Sequence, residues 1–234
     1  MTIALLPGDA RQELIGKLLS GAGYTVVPYE PGAAADAWLF PLPTGGHPAL
    51  KELPEGALAL VGKAAGLYPG LRLRDYFAPE SVQLKNAAIT AEAAIALALE
   101  RRSRCLFGSR TLITGFGRIG RALASRLRAL GAEVTVYARS GEQRALAETM
   151  GCRALSELPP EIRGYDILFN TVPAPVIPGM PEMLCLELAS PPGGFVLPEA
   201  AVSARGLPGR MAPLSAAEVL CASITDILQE EKTP

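Results

Sequence analysis

Short apolar runs alternate along the chain with longer stretches in which apolar residues recur every three or four positions. Thr2–Leu6 reads as a strand. In the stretch 8–23 that follows, Leu14, Ile15, Leu18 and Leu19 fall on one helical face. Gly21 or Gly23 is a natural stop for that helix. Residues 24–29, 36–42 and 57–62 read as further strands, so residues 1–85 form a small α/β layer interrupted by prolines and glycines.

Residues 89–104, rich in alanine and leucine, predict a helix with Thr90 placed to cap it. The alternation then restarts with strand 110–114, helix 119–130, strand 133–137 and helix 141–149. Strands 166–172 and 183–189 and an amphipathic helix over 215–231 complete it. This order predicts an α/β protein with a Rossmann-type, doubly wound parallel sheet beside a smaller α/β domain. The expected division is an N-terminal domain over 1–88, an inter-domain helix over 89–104 and a nucleotide-binding domain over 105–213.

The restart carries a GxGxxG loop, Gly115, Gly117 and Gly120, between the strand RTLIT and a helix that closes at Gly131. The first glycine permits the tight turn, the second lets backbone approach a pyrophosphate, and the third lets helix pack on strand. Arg118 and Ile119 open the helix, whose free N–H groups favour an anion. In an NAD-selective fold the next strand ends in a carboxylate that binds the ribose hydroxyls. Here that strand runs into Ala138, Arg139 and Ser140. A guanidinium and a hydroxyl suit a 2′-phosphate, so NADP is expected rather than NAD. The turns after the later strands, with Thr171, Val172 and Pro173 in one and 188–194 in the other, belong on the nicotinamide side.

Candidate chemistry elsewhere is sparser. Asp9, Arg11 and Gln12 follow the first strand; Asn86, Thr90 and Glu92 lie around the start of the expected inter-domain helix; Arg210 precedes the last helix. Arg11, Gln12, Asn86, Thr90 and Arg210 offer donors for a carboxylated substrate, and Asp9 or Glu92 could accept a proton. Helix capping is the alternative reading of Asp9 and Thr90. The single histidine, His47, stands between glycine and proline and reads as incidental; Lys63 reads as a surface lysine.

Composition narrows the class. The formal net charge is −1 and no basic run exceeds Arg101–Arg102, so nucleic acid is not an expected partner. Only 19% of residues are charged against 49% apolar, which points to more buried surface than a monomer needs and hence to a homo-oligomer. No run approaches the ~18 uninterrupted apolar residues of a membrane span, and no basic leader opens the chain. Cys105, Cys152, Cys185 and Cys221 are widely spaced and read as buried thiols of a cytoplasmic protein, with no metal site.

Taken in order, GDARQ, NAAITAEAAI, GFGRIGRALA, LGAEVTVYARS, NTVPAPVI, LELASPPGG and GLPGRMAPLSA resemble the dipicolinate synthase A family, related to the 2-hydroxy-acid dehydrogenases. The resemblance runs from Gly8 to the last helix. It implies a flavodoxin-like N-terminal domain, to which the helix over 214–234 returns, and a Rossmann domain. It also implies an NADP-linked oxidation of dihydrodipicolinate, or its hydrated precursor, to dipicolinate during sporulation, in partnership with a second, flavoprotein-like subunit. The family's glycine loop falls on Gly115, Gly117 and Gly120, and its following arginine on Arg139. A dehydrogenase for another small carboxylate and a non-catalytic NADP(H)-binding subunit stand as alternatives.

Overall fold

In the computed structural model, which describes residues 1–179 and 181–232, the alternation resolves into two parallel sheets in two separate units. The first unit comprises Met1–Asn86 and Pro208–Pro234. Its strands are β1 (Thr2–Leu5), β2 (Thr25–Pro28), β3 (Ala37–Leu39), β4 (Leu58–Val61) and β5 (Arg72–Asp75), in the order β2-β1-β3-β4-β5. That is the flavodoxin-like order, in which the chain steps from one side of β1 to the other. β4 is buried at every position, as expected of a strand covered on both faces.

Helix α1 (Ala10–Gly21) buries Ile15 and Leu19, and the last helix, α6 (Pro213–Glu230), meets it with Leu220, Ile224 and Leu228 in one apolar cluster. Past the end of α1, Gly23 takes the left-handed conformation (φ 89°) that glycine tolerates. Ion pairs join Arg72 and Arg74 of β5 to Glu230 and Glu231 at the end of α6. β5 is an edge strand and its sequence is RLRD. Charged side chains suit an exposed edge, and they also remove the apolar signal by which a strand is read.

The second unit, Ala87–Leu207, holds β6 (Arg110–Thr114), β7 (Glu133–Tyr137), β8 (Arg153–Leu155), β9 (Ile167–Asn170), β10 (Leu184–Glu187) and β11 (Val202–Ser203). They lie in the order β8-β7-β6-β9-β10-β11, the doubly wound 3-2-1-4-5-6 arrangement of dinucleotide-binding sheets. α3 (Arg118–Ala129) and α4 (Gly141–Thr149) connect β6 to β7 and β7 to β8. The core joins Ile113, Val136 and Phe169 of the sheet to Leu123 and Leu127 of α3.

The helix α2 (Glu80–Glu100) differs from the expected 89–104. Pro79 launches it: its carbonyl accepts the N–H groups of Val82 and Gln83, and nothing in 80–88 breaks the turn that follows. Thr90 therefore sits inside the helix, buried, and is not its cap. Among the described residues α2 alone is long and apolar enough to cross a membrane, but its Ala91, Ala94, Leu97 and Ala98 lie in the protein core. The expectation of four buried thiols also needs correction: Cys105, in the turn after α2, is exposed, while Cys152, Cys185 and Cys221 are buried. The short strands β8 and β11 carry too few apolar residues for a periodic signal.

Candidate functional site

At the carboxyl edge of the second sheet a groove of about 610 Å³ runs between the loop after β6 and the loop after β7. Gly115, Phe116 and Gly117 form one wall, Tyr137 to Ser140 another, and Thr171, Val172 and Pro173 a third. The three glycines of the loop do different work. Gly115 is left-handed (φ 88°), and a Cβ there would meet Thr171 Oγ1 at 2.5 Å. A Cβ on Gly120 would overlap the Gly115 carbonyl, so α3 packs against the turn only because that position is bare.

Gly117 is unlike its neighbours. Its backbone is extended (φ −77°, ψ −161°), and a Cβ would meet no protein atom within 4 Å. Nothing in the protein requires glycine there, yet the residue lines the groove and is the N-cap of α3. Among the described residues no side chain caps that helix at Gly117, and a helix start of this kind suits an external anionic acceptor. Bare backbone beside an uncapped helix start fits a pyrophosphate. Arg118 and Ile119 occupy the first turn of α3.

Arg139 and Ser140 stand together beyond the end of β7, in the groove wall. Ser140 caps α4, its Oγ accepting the Gln143 N–H at 3.4 Å. Arg139 is exposed and makes no ion pair among the described residues. Sequence reasoning missed a second cation: Arg144 donates Nη1 to the carbonyls of Ala138 and Arg139, at 2.8 and 2.7 Å. Its position one helical turn after Ser140 was the available signal. Among the described residues no carboxylate lines this groove.

Behind the groove lies a buried polar network that the sequence announced only as a charge inside the apolar run LCLEL. Asn170, at the end of β9, accepts Thr114 Oγ1 at 2.6 Å and the Val172 N–H at 3.1 Å. Its amide donates to Glu187 Oε1 at 2.7 Å and to the Val172 carbonyl at 3.0 Å. Glu187 also accepts the N–H groups of Ala189 and Gly194, at 2.9 and 2.7 Å. A buried carboxylate is tolerable only when so satisfied. The network fixes the 171–173 turn and the 188–194 loop, the two turns expected on the nicotinamide side.

The residues proposed for substrate form a less open picture. Asp9 caps α1, its Oδ1 accepting the Arg11 N–H at 3.0 Å. The Arg11 guanidinium donates to Asp9 Oδ2 at 2.6 Å and to the Leu42 carbonyl at 2.8 Å, and Arg11 is only 7% exposed. Burial raises the Asp9 carboxyl, but the hydrogen bonds and charge of Arg11 outweigh it and hold the group below the usual aspartate range. Asp9 is thus a cap and a counter-ion, a weak base for a proton acceptor. Gln12, buried, donates Nε2 to the Leu39 carbonyl at 3.0 Å and braces β3.

Gly209, in the short helix α5 (Leu207–Met211), abuts the Asp9–Arg11 pair so closely that a Cβ would overlap Asp9. The same segment carries Arg210, exposed. Asn86 and Thr90 lie one turn apart on α2, Asn86 partly exposed and Thr90 buried. Glu92 is an exposed member of an ion pair with Arg126, 2.8 Å, in the last turn of α3 and so at the end away from the glycine loop. His47 accepts the Ala49 N–H on Nδ1 and caps a short 3-10 helix, a structural role. Lys63, the one non-glycine residue with positive φ (57°) among those described, rests its ammonium 4.7 Å from the Phe77 ring.

Comparison with known proteins agrees with this geometry. Residues 83–176 match the D-isomer specific 2-hydroxyacid dehydrogenase NAD-binding domain. Dipicolinate synthase A of Bacillus subtilis is 34% identical over 173 residues, which span 68% of this chain and 58% of that relative. The crystal structure of dipicolinate synthase A from Bacillus halodurans superposes with a TM-score of 0.83 at 25% identity, covering 97% of each chain. The crystal structure of the Bacillus subtilis protein gives 0.81 at 26% identity, covering 98% of this chain and 96% of that one.

Proposed function

Because the chain resembles dipicolinate synthase A in sequence and fold and carries a dehydrogenase-type NAD-binding domain, we propose that it is an NADP-dependent oxidoreductase converting dihydrodipicolinate, or its hydrated precursor, to dipicolinate. One observation carries the cofactor reading: the groove is walled by bare Gly117 on one side and by Arg139 and Ser140, with no carboxylate, on the other. NADP, when bound there, accepts the hydride.

The protein's share of the work is positioning. The α3 start and Gly117 hold the pyrophosphate, Arg139 and Ser140 hold the 2′-phosphate, and the Asn170-braced turn at 171–173 walls the nicotinamide end. Hydride and proton loss from a dihydropyridine yields an aromatic ring, so the step needs chiefly a ring held about 3–3.5 Å from its acceptor. In this reading Asp9 and Glu92 serve as counter-ions of Arg11 and Arg126 rather than as the base. The proton passes to solvent. Arg210, exposed beside the Asp9–Arg11 pair, is the foremost cation for a substrate carboxylate, with Asn86 as a further donor.

The setting that follows is a cytoplasmic homo-oligomer of sporulating cells, acting with a flavoprotein-like second subunit. That the described residues lining the groove include neither carboxylate nor histidine favours one other reading, a subunit that binds NADP(H) without catalysis. A spectrophotometric assay of dihydrodipicolinate with NADP, with and without the flavoprotein-like partner, separates the two. NADPH formation by the chain supports the oxidoreductase. NADP binding without turnover in either mixture supports the non-catalytic reading.

A further inference from the structure

The edge of the second sheet opposite the glycine loop carries a pocket of about 650 Å³, as large as the nucleotide groove. Arg110, Glu133 and Arg153 are the first residues of the neighbouring parallel strands β6, β7 and β8, and all three line it. Arg128, from the last turn of α3, and Arg163, from the loop before β9, complete a ring of four guanidinium groups. We propose that this pocket binds a multivalent oxyanion of metabolite size, a di- or polyphosphate or a polycarboxylate.

Charge carries the argument first. Among the described residues Glu133 is the one carboxylate in the wall. Glu161, nearby, is held by Arg163 at 3.0 Å, and Asp166 accepts the backbone N–H of Arg110 at 2.7 Å without pairing with a guanidinium among the described residues. No ion pair is made by the guanidinium of Arg110, Arg128 or Arg153 among the described residues. Elsewhere in the same unit Arg126 takes Glu92 as a counter-ion. Four arginines against a single lining carboxylate leave an excess of like charge, and an anion relieves the repulsion.

Shape supports the same reading. Gly131, Gly151 and Gly164 line the pocket, all with left-handed backbone (φ 79°, 73° and 80°), which leaves its wall bare. A Cβ on Gly151 would overlap the Arg128 guanidinium, so that glycine lets the arginine lie across the backbone. Arg128 is anchored there by Nη1 donating to the Met150 carbonyl at 2.7 Å. An anchored guanidinium presents its remaining N–H groups in a fixed fork, the geometry that phosphate and carboxylate oxygens accept. Gly131 and Gly151 also end α3 and α4, so the part of the shape that separates this pocket from a set of solvated surface arginines is the anchored fork of Arg128.

The proposal is independent of the cofactor reading, and calorimetric titration of the whole chain with inorganic pyrophosphate and, separately, citrate tests it at low ionic strength. One saturable site is expected in Gly117→Val, whose nucleotide groove is blocked, and the wild type should show the same site in addition to any pyrophosphate held in that groove. Arg153→Glu, at an exposed position, should weaken that site roughly tenfold or more, as loss of a charged donor does, and added salt should weaken it further. Pyrophosphate binding alone assigns a phosphate ligand, and citrate binding alone a carboxylate. As a measurement free of variants, the anion that binds should protect Arg110 and Arg153 from phenylglyoxal, read by peptide mass spectrometry. No saturable binding of either anion overturns the proposal. So does binding that vanishes in Gly117→Val but survives in Arg153→Glu, or an absence of protection.

Discussion

Asn170 donates its side-chain amide to Glu187 across the carboxyl ends of β9 and β10, at 2.7 Å. The same residue holds both backbone groups of Val172, two positions on, so one amide ties a buried carboxylate to a turn that lines the nucleotide groove. Asn170→Ala leaves Glu187, Thr114 and the Val172 N–H short of a partner at once. The expected loss is about 2–4 kcal/mol of stability, the scale of several buried groups unsatisfied together, measured by urea denaturation. The folded fraction should also bind NADP more weakly. Unchanged affinity would mean that the turn holds its shape without Asn170.

Glycine substitutions in the loop should separate folding from binding. Gly117→Val meets no protein atom at its Cβ and has an unstrained backbone, so it should fold with a native circular dichroism spectrum and fail to bind nucleotide. Gly120→Ala collides with the Gly115 carbonyl, and Gly115→Ala combines a positive φ with the Thr171 hydroxyl. Both should lose stability by roughly 1–3 kcal/mol, the scale of overpacking and backbone strain. A folded Gly117→Val that keeps its affinity would place the pyrophosphate elsewhere.

Selection for the phosphorylated nucleotide is expected to rest on Arg139. Arg139→Ala should weaken NADP binding by about 1.5–3 kcal/mol, the scale of hydrogen bonds to a charged group, and leave NAD unchanged. Arg144 is already engaged by two carbonyls, so Arg144→Ala should act less on affinity and more on the turn that presents Arg139. Calorimetry with both nucleotides reads the difference. Equal losses for NAD and NADP in Arg139→Ala would remove that residue from the 2′-phosphate.

Much of this site was legible because its causes are local. The GxGxxG loop stands between a strand and a helix whose limits the periodicity sets closely, 110–114 in both readings, and Arg139 follows β7 directly. What stayed hidden depends on distant partners. β5, with its sequence RLRD, shows no apolar alternation and is not recognised as a strand until Glu230 and Glu231 are placed beside it. Glu187 needs Asn170 and the Gly194 N–H, neither adjacent in sequence, before a carboxylate in an apolar strand makes sense. Thr90 looked like a cap because the polar stretch 80–88 hides its helical continuity. Arg11, expected as a donor to substrate, proved to be satisfied from within by Asp9 and Leu42.

That internal satisfaction makes a prediction of its own. Arg11 is nearly buried and its guanidinium has Asp9 as its carboxylate partner, while the Asp9 side chain is 45% exposed. Removing the carboxylate leaves a buried cation short of a partner, but water reaches the pair and screens part of the cost. Asp9→Asn keeps a side chain able to cap α1, so it isolates the charge from the cap. The expected loss is roughly 1–3 kcal/mol, and a double-mutant cycle with Arg11→Ala should show coupling of similar size. The pH dependence has a definite sign. Because the folded carboxyl is held below its unfolded value, the pair's contribution is complete above the ordinary aspartate range of about 3.9 and disappears as pH falls through the lower, folded value. Denaturation across that acid window should therefore be steeper for the wild type than for Asp9→Asn, the two converging at the lowest pH. Parallel curves would mean that Asp9 titrates alike in the folded and unfolded chain.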